Sequence, residues 1–310
     1  MGRADQTERR DHRVTPMHIR MAENFRAVFY APFYAAQALG FYAREGVEIE
    51  LVTSSAPGGG PAALVDGSAD ITWGGPLRVM KAHDEDPSSP LVCFCEVVGR
   101  DPFFLVGNGD AQTFRLEDLA RLRFATVSEV PTPWLCLQHD LRERGIDPTK
   151  LARVTSGTMG DNVAALRERR LDVIQIFEPY ASLAVRDGAK VLYAASTRGP
   201  TVYTTFLATR ADIARNRGAF AAMTRAIVQM QNWLRTHDAR DLAATVAPLY
   251  PDVERDILTT SLDRYLQAGL WSRSPQLSPQ GFARLGESLL SGGYISRMPV
   301  YADCVDETLG

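Results

Sequence analysis

Apolar residues along this chain fall by turns into a two-residue and a helical period, and the two keep handing over to each other. Residues 18–23 alternate enough for a short strand. Residues 32–39 (Pro-Phe-Tyr-Ala-Ala-Gln-Ala-Leu) have helical apolar spacing that Gly40 stops. After a turn over 41–46, Val47-Glu48-Ile49-Glu50-Leu51-Val52 alternates as a strand. A small-residue loop from Ser54 to Gly60 opens a helix over 61–66. A strand at 70–73 ends in Gly74-Gly75, another helix runs to about His83, and 91–98 is strongly β. The alternation resumes after a linker at 99–103. It predicts strands at 123–127, 152–155, 173–177 and 190–194, with helices at 134–144, 161–169 and 180–187 between them. A return strand near 202–208 precedes a helical end, over 217–237, 241–247, 253–268 and 279–291. Strand–helix alternation of this kind predicts an α/β fold with parallel-rich sheets, here in two series.

Length agrees with two units, since 310 residues exceed one typical domain. A chain that is 45% hydrophobic and 23% charged has ample material for a core. A net charge of −3, with no basic block or aromatic–basic stripe, argues against nucleic-acid binding. The longest apolar runs fall far short of the roughly 20 residues that span a bilayer. Residues 1–16 are polar and charge-rich without an apolar stretch, and read as a disordered leader rather than a secretory signal or anchor, with Met17 an alternative start. The protein is then cytoplasmic, or else periplasmic or at the cell surface with its export signal trimmed or its start misassigned. Cys93, Cys95, Cys136 and Cys304 read as buried free thiols.

The run from Ala31 to Glu50 (APFYAAQALGFYAREGVEIE) resembles the opening signature of the solute-binding proteins for aliphatic sulfonates, nitrate and thiamine-pyrimidine precursors. Residues 62–71 (AALVDGSADI) and 166–174 (LRERRLDVI), the latter followed by Glu178-Pro179-Tyr180, are similar to further elements of that family. The resemblance covers about residues 17–247. It implies the two-lobed periplasmic-binding-protein type II fold, with 17–100 plus 205–310 as lobe 1, 101–204 as lobe 2, and a helical C-terminal tail packed on lobe 1. It further implies a monomer that closes on a small molecule (a sulfonate, a pyrimidine-type heterocycle or an aromatic carboxylate) and delivers it to the membrane permease of an ABC transporter. No cofactor or metal is expected, because none of the five histidines has metal-ligand spacing with another ligating residue.

In open α/β sheets ligands sit outside the carboxyl ends of strands, which selects the candidate site. Asn24 and Phe25 follow the first strand. Ser54, Ser55, Gly58 and Gly59 lie in a strand-to-helix loop whose donors suit an anionic or carbonyl group. Trp73 and Gly74 end a strand, where Trp73 is either a cleft platform or core. Ser128 and Thr132 hold the equivalent place in the second lobe, with Thr132 alternatively a helix cap. Glu178 ends an apolar strand, and as glutamate is a mediocre cap its carboxylate is expected to answer the ligand. Enzymes share this fold family. Aligned by the glycines, the desulfinase group's cysteine, histidine and arginine positions fall near Ala27, Ala62 and Thr72, none of which carries that chemistry. Cys93-Phe94-Cys95 resembles the pyrimidine-synthase cysteine run only superficially. Nothing supports a cytoplasmic sensor that reads DNA.

Overall fold

The computed structural model describes residues 16–23, 25–53 and 59–309. The first lobe opens with β1 (Met17–Glu23), α1 (Ala31–Ala38), α2 (Phe41–Arg44) and β2 (Val47–Thr53). It continues through α3 (Gly60–Val65), β3 (Ile71–Gly74), α4 (Leu77–Glu85) and β4 (Leu91–Val98). The second lobe holds β5 (Phe104–Gly107), β6 (Phe124–Ala125), α5 (Thr132–Glu143), β7 (Arg153–Val154), α6 (Met159–Arg167), β8 (Val173–Ile176), α7 (Tyr180–Arg186) and β9 (Lys190–Ala194). The chain then returns as β10 (Thr204–Thr209) and ends in α8 (Arg210–Trp233), α9 (Ala239–Val246), α10 (Arg255–Gln267), α11 (Pro279–Ser291) and α12 (Tyr301–Cys304).

Two five-stranded sheets result, ordered β2-β1-β3-β10-β4 and β7-β6-β8-β5-β9. In the first, β1 runs parallel to β2 and β3, while β10 is antiparallel to β3 and β4. In the second, β6 runs parallel to β7 and β8, and β5 is antiparallel to β8 and β9. Each sheet thus has four strands sending their carboxyl ends the same way and one antiparallel member, β10 in the first sheet and β5 in the second. This is the two-lobed α/β architecture that the strand–helix alternation predicts.

Three local features differ from the sequence pattern. Strand β5 lies where the pattern reads only linker and the resumption of structure, because Phe104-Leu105-Val106-Gly107 is buried on both faces and shows no alternation. The turn after Gly40 contains a short helix, α2, entered from Gly40 at φ 72°, a left-handed angle that glycine adopts without steric cost. Helix α8 starts at Arg210 rather than 217. Thr209 caps it by accepting from the Asp212 amide at 3.0 Å, and non-helical Asn216 (φ −111°) kinks it just before the residue at which the sequence pattern starts the helix.

The helical tail packs on lobe 1, with α8 against α1, α2 and β4. It also crosses to lobe 2. Helix α11 lies along α5, where Leu285 and Leu289 share an apolar cluster with Leu135 and Cys136. A Cβ added to Gly292 just past α11 would stand 2.4 Å from the Leu135 side chain, so α5 and the end of α11 approach as closely as glycine allows. Among the described residues no helix is long and apolar enough to cross a membrane.

Candidate functional site

The loops leaving the parallel strands of both sheets meet at one cavity of about 340 Å³. Lobe 1 contributes Phe25 to Val28, directly after β1. Lobe 2 contributes Glu129 and Val130 after β6, Met159 at the start of α6, and Phe177, Pro179 and Tyr180 after β8. Tyr250 and Val253, between α9 and α10, close the remaining side. The walls are mostly apolar and aromatic, with few polar groups, as small-molecule sites of this size generally are. Phe25 and Phe177 face each other across the lobes with ring centroids 6.4 Å apart and planes 29° from parallel. Phe177 also meets Phe29 and Phe103 edge-on at 5.3 and 5.2 Å, so one lobe-2 ring is seated among three rings from lobe 1 and the crossing.

The charged groups at this cavity are already committed. Glu23, at the end of β1, accepts from Nε and a terminal nitrogen of Arg26, both at 3.0 Å, and from the Tyr34 hydroxyl. The other terminal nitrogen of Arg26 donates to the Leu249 carbonyl at 3.2 Å, and the Tyr250 hydroxyl donates to the Ala27 carbonyl at 2.8 Å. Burial pushes both the Tyr34 and Tyr250 phenols well up, so each is a neutral donor at physiological pH. Across the cleft, Glu129 accepts from the Ser128 and Met159 amides, each at 2.9 Å, which pins the β6 loop to the N-terminus of α6.

Two crossings join the lobes, within 99–103 and 195–203, and they are bonded to each other: Thr201 N–H donates to Gly99 O and Tyr203 N–H to Val98 O, both at 2.9 Å. Arg198, with a side chain only 3% exposed, pairs with Asp101 of the first crossing and with Asp140 of α5. Its Nε lies 3.2 and 3.1 Å from the two Asp140 oxygens, and the Tyr193 hydroxyl donates to Asp140 at 3.1 Å. One guanidinium therefore serves two buried carboxylates. Burial pushes Asp101 above the usual carboxylate range.

The sequence candidates divide clearly. Phe25 lines the cavity. Thr132 lines a smaller adjoining hollow as the first residue of α5 and makes no cap. Asn24, Ser54, Ser55 and Gly58 lie outside the described residues. Gly59 precedes α3 and lines neither hollow. Ser128 is exposed and ties its loop to the one before α6, donating to Gly157 O at 3.1 Å. Trp73 is core rather than a cleft platform: it is 1% exposed, stacked on Phe33 at 5.0 Å and 14°, and edge-on to Tyr34. Gly74 is buried opposite Thr205 in the β3–β10 ladder.

Glu178 also departs from expectation. It is fully buried, and its carboxylate accepts from Arg264 Nε at 2.6 Å, Ser261 Oγ at 3.1 Å and the Ser182 amide at 2.8 Å. Its own amide donates to the Tyr265 hydroxyl oxygen at 3.0 Å. The carboxylate ties lobe 2 to α10 of the tail and leaves no oxygen for a ligand. Its neighbours Phe177 and Tyr180, which the sequence reading passed over, are the residues at the cavity. Met159 was findable as the residue opening a helix after a strand. Tyr250 and Val253 carry no local signal, because only the return of the tail brings them there.

The four cysteines are buried free thiols. Cys93 and Cys95 sit inside β4, away from the cavity, with burial pushing both thiols up. Among the described residues no group of three His, Cys, Asp or Glu side chains is placed to hold a metal.

Two α/β lobes, joined by paired crossings and sharing one cavity at their strand ends, define a two-lobed binding fold of the periplasmic-binding-protein type. The chain belongs to the NMT1/THI5-like family, whose model matches residues 28–239. It is 25% identical over 294 residues to "Putative binding protein YtlA" of Bacillus subtilis (strain 168), covering 94% of this chain and 88% of that protein. The periplasmic aliphatic sulphonate binding protein SsuA of Escherichia coli has the same fold, with a TM-score of 0.72 at 18% identity over 95% of this chain and 99% of that one. The desulfurization enzyme DSZB is also similar in fold, with a TM-score of 0.66 at 16% identity over 94% and 97% of the two chains.

Proposed function

We propose that this chain is the solute-binding component of an ABC-type uptake system, holding one small organic molecule between its lobes and releasing it unchanged to a membrane permease. The observation that carries this reading is the cavity of about 340 Å³ where the strand ends of both lobes converge, walled by aromatic and aliphatic side chains. The family and the binding-protein relatives support it. The lobes are 17–100 plus 205–310 and 101–204, pivoting at the crossings within 99–103 and 195–203. A ligand touching both lobes favours their closure. On this reading the protein works as a monomer in the periplasm or at the cell surface. The ligand is a sulfonate, a nitrogenous heterocycle or an aromatic carboxylate.

The fold likeness to a desulfurization enzyme raises catalysis as the competing reading. Against it, Ala27 at the cavity wall offers only a methyl group, and Cys93 and Cys95 are enclosed in a core strand. A thermal-shift screen over those three ligand classes separates the two readings. A true ligand at about 100 times its Kd should stabilise the protein by roughly 2.7 kcal/mol and be recovered chemically unchanged. Steady conversion of a stabilising compound into product would establish an enzyme instead.

A further inference from the structure

A second, much smaller hollow adjoins the main cavity, sharing Phe25 and Val130 as walls. We infer that it is a head-group subsite for the carboxylate of an aromatic monoanion, with Arg78 as the countercharge and the ring in the larger chamber. This rests on the cavity being the ligand site, as proposed above, and adds the chemical class of the ligand.

The hollow has a volume of about 30 Å³, which at roughly 10–15 Å³ per water admits about two water-sized groups, the span of a carboxylate's two oxygens. Arg78, in the first turn of α4, lines it half-buried, and its guanidinium makes no hydrogen bond or ion pair with any described residue. Arg26 at the outer cavity is the contrast, since Glu23 neutralises it. The first turn of α4 carries no acidic residue, so the positive end of that nine-residue helix reinforces Arg78. Tyr203, on the second crossing, also lines the hollow. It is 7% exposed, and its hydroxyl has no hydrogen-bond partner. Burial keeps that phenol protonated, leaving an unused donor. Thr132 brings a further hydroxyl from lobe 2. Gly75 keeps the wall open, because a Cβ there would come within 2.6 Å of the Leu77 side chain and 3.5 Å of the Tyr203 carbonyl. The arrangement is an unpaired cation, a helix start and an orphaned donor at the end of an aromatic chamber.

Three matched probes test it by NMR titration: 3-phenylpropionate, its neutral amide 3-phenylpropanamide, and 2-phenylethanesulfonate. The carboxylate should bind the wild-type protein about tenfold or more tighter than the amide, and tighter than the bulkier sulfonate. Arg78→Gln should cost the carboxylate about tenfold while moving the amide by less than about twofold, and Tyr203→Phe should weaken the carboxylate several-fold. Equal binding of carboxylate and amide, or a carboxylate preference that survives Arg78→Gln, would overturn the head-group assignment and leave the cavity reading standing. Preference for the sulfonate would overturn the carboxylate assignment. Failure of all three at about 10 mM would overturn the chamber as a ring site, and with it the reading on which this inference rests.

Discussion

Replacing Arg198 by methionine is expected to destabilise the protein by about 3–5 kcal/mol, because it strands two buried carboxylates rather than one. Asp101 and Asp140 are both nearly inaccessible, and Arg198 is the cation paired with each. At about 2 °C per kcal/mol for a chain of this size, the melting temperature should fall by roughly 6–10 °C. The loss should also depend on pH in a definite direction. A buried carboxyl without its cation has a folded pKa raised above the unfolded value, near 3.8 for aspartate. Between those values the folded state binds more protons than the unfolded one, so stability falls as pH rises through that window. The variant's deficit should therefore be larger at pH 8 than at pH 5. Urea unfolding of both proteins at the two pH values measures this. Equal stability at pH 8 would show that Arg198 does not hold the crossings together.

Glu178→Gln should act on stability rather than on ligand affinity. The carboxylate accepts three hydrogen bonds, one of them from the Arg264 guanidinium, and all its partners are protein groups. Removing its charge leaves Arg264 without its counterion and weakens the junction between lobe 2 and α10, at about 2–3 kcal/mol. Arg264 keeps a side-chain exposure of 25%, so water recovers part of that loss and the effect is smaller than at Arg198. Affinity, measured well below the melting temperature, should change by less than about threefold. A tenfold loss of affinity at unchanged melting temperature would restore the ligand-contact role that sequence reasoning gives this residue.

Those two residues show how far the sequence could be read. The alternation of periods locates nearly every strand and helix, since a half-buried strand and a surface helix each imprint their burial on the chain. It misses β5, where both faces are covered and no alternation remains. It misplaces the start of α8, where a kink at Asn216 breaks the helical phase. For the site, topology was legible and side-chain direction was not. Position after a strand directs attention to Phe25, to the β6 loop and to the segment 177–180, which the structure places around one cavity. Within that last segment the charged residue turns inward to Arg264 while Phe177 and Tyr180 meet the cavity, a choice made by α10, more than eighty residues away in sequence. Trp73 is a similar case. A large aromatic at a strand end suits either core or platform, and the stack on Phe33 decides for core. The Arg198 clamp joins three segments that no local motif connects.

Native mass spectrometry of freshly purified protein and of its Phe25→Ala variant shows whether one unmodified small molecule occupies the cavity between the lobes. A one-to-one adduct of defined mass is expected on the wild-type protein. Gentle denaturation should release the molecule intact, and the variant should carry much less of it, because Phe25 lines both the chamber and the adjoining hollow. An adduct held equally well by both proteins, or one that is released as a chemically altered product, would contradict that expectation.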